Sequence, residues 1–565
     1  MTRRRRGGGS LCRGETGGVQ PLSADQALLV SRAYALFDRF YEQLRPVHEE
    51  MRQMRLMRRL DQGERSHTAP LSNTLNSCAD NVIADQIDNM PEARMVPERE
   101  ETAKSAEEMT DVVSFVLYQA GWPGKYQRLM EDAVIAGTGV CQVFWDDDAM
   151  DGEGMVSVLA WHPEDFYPDP MVEDLQEGRA CFKTTNTTVD WVQEHYPHAR
   201  GYISQDRYAQ EAQWDQEGAA DPDERVTLIE YWYKKYDAQS RRNRVHMALL
   251  AGGALLYSTE YDMGTREAGE FEQGVFAHGQ YPFTLFKYRS VWRRAFGTGL
   301  MHDYRQMQHA IDRYIKYIDD NARQSSVQRL FIRKGSGISP DEIADMSRVI
   351  VEWEGNDIRE VMQPVQASPI NGQVYQMMTY LADTMKQDCG QNQFNRGEGG
   401  LGVTAASAIE ALQSAGGKLA RWHTEQFKDA FREMVEQILW VLSEYMEPGR
   451  TLRIVGGWEQ TGSMQEKIVQ LLATGLRGDA LPKPAYTVRV QTQRNNPGQI
   501  QEANNFLLKA AEICAQYGQP LPPHSVIGLM EGFRTKGSVL RAVRDNEERY
   551  QAAKNMPHEE KGEGK

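Results

Sequence analysis

The chain has 565 residues, 25% charged and 40% hydrophobic, and a formal net charge of −16. That length exceeds one compact core and predicts roughly two to four structural units, while the composition excludes a disordered or fibrous protein. So acidic a protein is not built to coat nucleic acid, because affinity for phosphate comes mainly from clustered Lys and Arg.

Residues 1–24 are rich in Arg and Gly and predict a disordered basic arm. MTRRRRGGGS has charge with no apolar stretch behind it, and no apolar run reaches the roughly 18 residues of a membrane span, so neither a signal peptide nor a spanning segment is expected. From Asp25 to Leu60 the apolar positions Leu28, Leu29, Ala33, Leu36, Phe37 and Phe40 recur at helical spacing. The pattern stays helical from Leu71 to Gly137, with Pro91 and Pro97 ending one helix before the next. After Gly137-Thr138-Gly139 the period changes to two. VCQVFW, the turn DDDAMDGEG and MVSVLAW read as a hairpin, followed by WHPEDFYPDP. VTLIEYWYKKY and VHMALLAGGALLYS add strands, the latter turning at Gly252-Gly253. Residues 139–290 are therefore expected to be mainly antiparallel.

A helix begins at Gly299, with Leu300, Tyr304, Met307, Ile311, Tyr314, Ile315 and Ile318 along one face. A second runs from about Gln373 to Gln387, and between the two lies a small β-containing excursion. Next come the glycines of GEGGLGVTAASAIEALQSAGGKLARW, then a long helix striped by Leu419, Trp422, Met434, Ile438 and Val441, with Gly416-Gly417 as its weak point. YTVRVQTQ reads as a strand, and Glu502 to Glu548 returns to helix.

The motifs of covalent chemistry are missing. GGLGVT has no following Lys to reach a phosphate, so it is not a P-loop, and Gly335-Ser336-Gly337 lacks the spacing of a nucleophile elbow. Asp146, Asp147 and Asp148 could hold Mg²⁺ as nuclease carboxylates do, but three consecutive residues point in different directions and read more simply as a solvated turn. No histidines form H-E-x-x-H, and His302 and His309 read as packing or surface. Trp353, Trp422 and Trp440 read as core or subunit contacts. Cys12, Cys78, Cys141, Cys181, Cys389 and Cys514 have neither C-x-x-C nor metal spacing and predict free or buried thiols in a reducing cytosol. No catalytic residue, metal or cofactor is expected.

The order of elements resembles that of tailed-bacteriophage portal proteins, the head-to-tail connectors. The resemblance is carried by LMEDAVIAGTGVCQVFWDD from Leu129, by the P-x-D-F-x-x-D-P stretch from Pro163 to Pro170, by YPFTLFKYRSVWRRAFGTGLMHDYRQMQHAIDR, and by TAASAIEALQSAGGKL. It covers most of residues 70–495. It implies an α+β portal fold in a ring of about twelve subunits at one capsid vertex. Residues 25–295 would form the wing (helices, then antiparallel strands), 296–326 the first stem helix, 327–368 the clip and 369–392 the second stem helix. The Gly-rich tunnel loop would be 393–404, the long helix after it 405–447, the return to the wing 448–493, the helical crown 494–548 and a disordered tail 549–565.

The resemblance also implies what the ring meets. Double-stranded DNA would pass through it, pumped by the terminase large subunit, with a head-completion adaptor, the major capsid protein and scaffold as further partners, and no membrane. Assembly would take place in the host cytoplasm, and the ring would later attach the tail, retain the genome and release it. Arg396, Gly397, Glu398, Gly399, Gly400 and Gly402 would line the channel, where glycine's freedom suits a loop that changes shape around DNA. Lys316, Arg323, Arg329, Arg333, Lys334 and Lys386 are the candidate DNA-facing residues of stem and clip, unless they pair with acidic groups of the next subunit. A Mg²⁺-dependent nuclease and a head-tail adaptor are the alternatives; the length argues against the adaptor.

Overall fold

A computed structural model describes residues 23–59, 72–97, 103–200, 202–203, 208, 225–238, 241–261, 274–276, 278–326, 330–332, 362–364, 370–390, 418–446, 451–455, 466–470, 486–492, 497–516, 523, 526 and 543. In chain order these form α1 (Ala24–Arg58), α2 (Thr74–Asp88), β1 (Pro91–Pro97), α3 (Ala103–Gln119), α4 (Trp122–Ala136), β2 (Thr138–Asp146), β3 (Met155–Trp161), β4 (Phe166–Pro168), β5 (Ala180–Thr188), α5 (Val189–His195), β6 (Arg225–Asp237), β7 (Arg242–Ala251), β8 (Ala254–Ser258) and β9 (Phe283–Lys287). There follow α6 (Leu300–Ser326), β10 (Leu330–Ile332), β11 (Met362–Pro364), α7 (Gly372–Asp388), α8 (Lys418–Tyr445), β12 (Thr451–Val455), β13 (Glu466–Gln470), β14 (Tyr486–Thr492) and α9 (Pro497–Gln516). One unit comprises Met1–Arg52, Ile83–Gly299 and Ala420–Lys565, the other Gln53–Val82 and Leu300–Leu419.

In the first unit α1 starts with a capping box. The Ser23 hydroxyl accepts from the Gln26 amide at 3.2 Å, and the Gln26 side chain accepts from the Ser23 amide at 2.9 Å, satisfying two donors that a helix start leaves bare. The stripe Ala33, Phe37, Phe40 and Leu44 is buried, and Phe37 meets the rings of Tyr167, Phe182 and Tyr208 at 5.2, 5.2 and 4.9 Å. Phe182 sits on the antiparallel sheet β4-β5-β6-β7-β8. As the doubled glycine predicts, β7 and β8 join through two left-handed residues, Gly252 (φ 52°) and Gly253 (φ 88°), with Ala251 opposite Ala254.

The hairpin read from VCQVFW and MVSVLAW is β2–β3, and β9 completes its sheet in the order β3-β2-β9. Helix α8 covers this region with Phe427, Phe431, Met434, Val435, Ile438 and Leu442, all buried. Its Gln437 side chain reaches the carbonyls of Tyr281 and Phe283 at 3.3 Å each, fixing the helix to the chain entering β9.

The residues between Pro91 and Pro97 depart from the helical reading. They form β1, which pairs antiparallel with β14 from Pro91 opposite Thr492 to Pro97 opposite Tyr486. Prolines at both ends lack the donors a helix needs, and on the other side the Met95 amide donates to the Thr110 hydroxyl at 3.0 Å. The stretch YTVRVQT is β14, as its alternation predicts. Gly416-Gly417 and residues 405–417 of the long helix lie outside the described residues, where α8 starts at Lys418.

One of the tightest contacts in the unit joins two Gly-Thr-Gly segments, 137–139 and 297–299. Gly137 ends α4 in the left-handed region at φ 98°, its amide bonded to the Ala133 carbonyl at 3.0 Å. A Cβ on Gly137 would stand 2.4 Å from the Gly297 carbonyl oxygen; one on Gly297 would stand 2.6 Å from the Arg289 oxygen, and one on Gly299 2.6 Å from the Val134 oxygen. Across the contact the Gly297 amide donates to the Thr138 hydroxyl at 2.9 Å, and the Tyr288 amide to the Gly137 carbonyl at 3.1 Å. At the glycines backbone thus lies directly on backbone, and the Thr138 hydroxyl bridges the two segments.

Gly137→Ala should therefore cost about 3 kcal/mol or more, from left-handed strain plus overlap with an immovable carbonyl. Gly124→Ala, in α4 with nothing within 4 Å of its Cβ, should be neutral or stabilise by about 0.5 to 1 kcal/mol. Thermal melts of the two variants check this; equal melting temperatures would refute the steric argument.

Candidate functional site

The second unit carries those candidate DNA-facing residues that the structure describes. It consists of the end of α1, the start of α2, the helices α6 and α7 packed together, and the antiparallel pair β10–β11, in which Leu330 faces Pro364.

Its base is a polar network centred on Gln308 of α6, a buried side chain. Gln308 accepts from the Leu75 amide at 3.1 Å and donates to the Ser72 carbonyl and the Asp312 carboxylate, both at 2.9 Å. Asp312 also accepts from the Ser72 amide at 3.0 Å. A helix start leaves several amides without partners; here α6 supplies the acceptor for α2, so one helix caps another. Burial pushes the Asp312 carboxyl above its ordinary range, an effect the Ser72 amide and Gln308 partly offset. On the other side of α2, the Arg58 guanidinium donates to the Asn76 carbonyl and pairs with Asp80, while the Asn76 side chain returns a hydrogen bond to the Arg58 carbonyl at 2.9 Å.

Away from this base the helices are poorly covered. In α6 only Leu300, Met301, Gln308 and Ile311 are buried, and none of the residues described after Ile311; in α7 it is Met385 alone, with Cys389 just beyond. Tyr317, Tyr375, Met377 and Tyr380 are 52, 61, 45 and 63% exposed. The helical stripe of the sequence exists, with its distal members Tyr314, Ile315 and Ile318 half-buried and Tyr317 beside it exposed.

Lys316 is exposed on α6 and makes no ion pair among the described residues. Arg323 is also exposed, but its guanidinium pairs with Asp319 one turn earlier at 2.9 Å, so part of its charge is spent locally. Lys386 is half-buried in the last turn of α7, where a cation suits the helix C-terminus. Arg329, Arg333 and Lys334 lie outside the described residues, as do Arg396, Gly397, Glu398, Gly399, Gly400 and Gly402. From Asp303 to Arg323, α6 has four Asp against four Arg or Lys and is close to neutral.

The nuclease alternative rested on Asp146, Asp147 and Asp148, which form a local turn. Asp147 accepts from the Trp145 indole at 2.9 Å, and the Asp148 amide donates to the Asp146 side chain at 3.1 Å. No group of three or more His, Cys, Asp or Glu among the described residues could hold a metal ion. Of the tryptophans, Trp440 is half-buried against His278 at 5.4 Å, Trp422 is exposed, and Trp353 lies outside the described residues. No helix among the described residues is long and apolar enough to cross a membrane.

The family model described as phage P22-like portal protein matches residues 38–560, nearly the whole chain. The chain belongs to that family. No curated protein matches it. Portal proteins are structural and non-enzymatic, act as head-tail connectors in DNA packaging, and work at the capsid vertex as oligomers around a DNA channel. A portal chain is expected to be incomplete alone, and the outward faces of α6 and α7 fit that. Sequence periodicity missed Gln308 and Ser72, since a polar residue on an amphipathic helix signals nothing until its partner is known; the closest signal is Gln308 interrupting the buried side of α6.

Gln308→Leu should destabilise this portal subunit by about 2 to 4 kcal/mol, because it strands the Leu75 amide, the Ser72 carbonyl and the partly buried Asp312. Lys316→Ala should stay within about 0.5 kcal/mol. Urea melts followed by limited proteolysis near residues 72–80 measure both.

Proposed function

We propose that the chain forms a closed ring of about twelve copies, through which double-stranded DNA enters under a terminase and later leaves for the host. In this reading α6 and α7 are the stem helices, β10–β11 belongs to the clip that meets the terminase and then a head-completion adaptor, and residues 393–404 are the loop lining the channel. Residues 25–295 are the wing, 448–493 return to it, 494–548 are the crown, and the wing's surface is the site for capsid and scaffold contacts.

The observation that carries the reading is the outward apolar surface of α6 and α7 in a member of a family that works as an oligomer. A helix gains most of its stability from packing an apolar face, so large apolar side chains left exposed along two long helices fit a surface that further copies cover. Neighbouring copies standing side by side would cover Tyr317, Tyr375, Met377 and Tyr380. The near-neutral α6 and the acidic chain suit passage, because even six to ten cationic phosphate contacts would hold DNA strongly at low salt. Lys316, Arg323 and Lys386 would then give weak, sliding contact.

Electron microscopy of the purified full chain should show rings with a central hole, and Tyr375→Asp with Tyr380→Asp should shift mass photometry from ring to monomer. A chain that stays monomeric under every assembly condition would overturn the reading. Deleting residues 397–402 should leave the rings intact while lowering packaged DNA at least tenfold in a complementation assay; packaging at the wild-type level would remove the loop from the mechanism.

A further inference from the structure

Charge is spread unevenly over this acidic chain. Between Lys234 and Arg244, where β6 ends and β7 begins, five cations (Lys234, Lys235, Arg241, Arg242 and Arg244) stand against one acid, Asp237. Three of the five are committed within the first unit. Lys234 turns inward, its ammonium donating to the Gln176 carbonyl and lying 4.4 Å from the centre of the Tyr281 ring. Lys235 pairs with Glu260. Asp237 is opposite Arg242 in the strand register, yet its carboxylate pairs with Arg244. That leaves Arg241 and Arg242, both exposed and without an ion pair among the described residues, near Tyr236, which is 63% exposed.

Their mounting is stiff. The Asn243 carbonyl lies so close to Gly279 that a Cβ there would stand 2.3 Å from its oxygen, and the Val275 amide donates to the Val245 carbonyl at 2.8 Å. Arg241 holds φ 53°, in the left-handed region, where residues other than Gly, Asn and Asp are uncommon. Backbone strain of this kind gathers at functional sites.

We propose that this hairpin end is a further DNA contact, separate from the stem and clip candidates, at which the guanidiniums of Arg241 and Arg242 bind phosphates of double-stranded DNA. Arginine's planar fork matches a phosphate, and a two-stranded ribbon is narrow enough to lie along a groove. DNA is the polyanion that the family handles. Phosphate contacts carry no sequence information, which suits a protein that must accept every sequence of a genome. One pair of guanidiniums grips weakly, but a ring repeats the pair in every copy, and weak contacts on one duplex act together. That multiplication rests on the ring reading; the contact itself does not.

The test titrates the full chain with a labelled random-sequence duplex of about 40 base pairs over roughly 50 to 200 mM salt. Arg241→Gly with Arg242→Gln removes both charges while relieving the left-handed strain, so the fold is retained. It should weaken binding about tenfold and lower the slope of log K on log salt by about 2 for each hairpin engaged. Arg241→Lys with Arg242→Lys should keep most of the slope. Arg32→Gln with Arg39→Gln, which removes two exposed cations of α1, is the charge-matched control and should change little. Equal binding by the parent and the Arg241→Gly, Arg242→Gln variant, an equal loss in the control, or binding to polyglutamate but not to the duplex overturns the proposal. Electron microscopy of the same samples separates the two claims: rings whose DNA affinity ignores the hairpin sink only this contact, and hairpin-dependent binding by a chain that forms no rings sinks only the ring reading.

Discussion

The first unit depends on a place where three glycines leave no room for a Cβ of their own. Segments 137–139 and 297–299 approach so closely that a Cβ on Gly137, Gly297 or Gly299 would overlap a backbone carbonyl, and the threonine between the first two glycines places its hydroxyl on the amide of Gly297. This contact sets where α4 stops, where β2 starts and where the chain leaves β9 for α6. A contact made mostly of backbone has few ways to relax, so it transmits position more faithfully than one made of flexible side chains.

The two units differ in how they meet their energetic needs. The first buries aromatic rings from α1, both sheets and α8 among one another, and little of it needs outside help. The second has a well-bonded polar base around Gln308, while the distal parts of its helices keep tyrosines and a methionine in water. Specificity sits in the base, and in the proposed ring the remaining apolar area is what other copies of the chain would cover. Such a division lets a subunit fold before assembly and still gain from it.

Much of this was legible in the sequence where the signal is local. Period two announced the β2–β3 hairpin, the doubled glycine announced the β7–β8 turn, and three-and-four spacing announced α1, α6 and α7. What escaped was non-local. β1 reads as a break between helices because its partner lies at the far end of the chain, and Gly137 and Gly297 read as two separate turns because nothing in either segment names the other. The apolar stripe from Leu300 to Ile318 was visible, but periodicity cannot say how deeply a stripe is covered; its proximal residues Leu300 and Ile311 are buried, while Tyr314, Ile315 and Ile318 are only half-buried. The candidate loop residues stood out by composition, and their role follows from family resemblance alone.

The pairing of Pro91–Pro97 with Tyr486–Thr492 has a consequence for the nascent protein. About 400 residues must be translated before the first strand meets its partner, which at ordinary elongation rates takes roughly 20 to 80 s. Through that interval the strand offers a bare edge on a crowded polysome, where many copies of the same message product are close together. A proline at each end shortens the template that a neighbouring chain could extend, so residues placed as helix stops in the sequence act on the ribosome as guards against premature pairing.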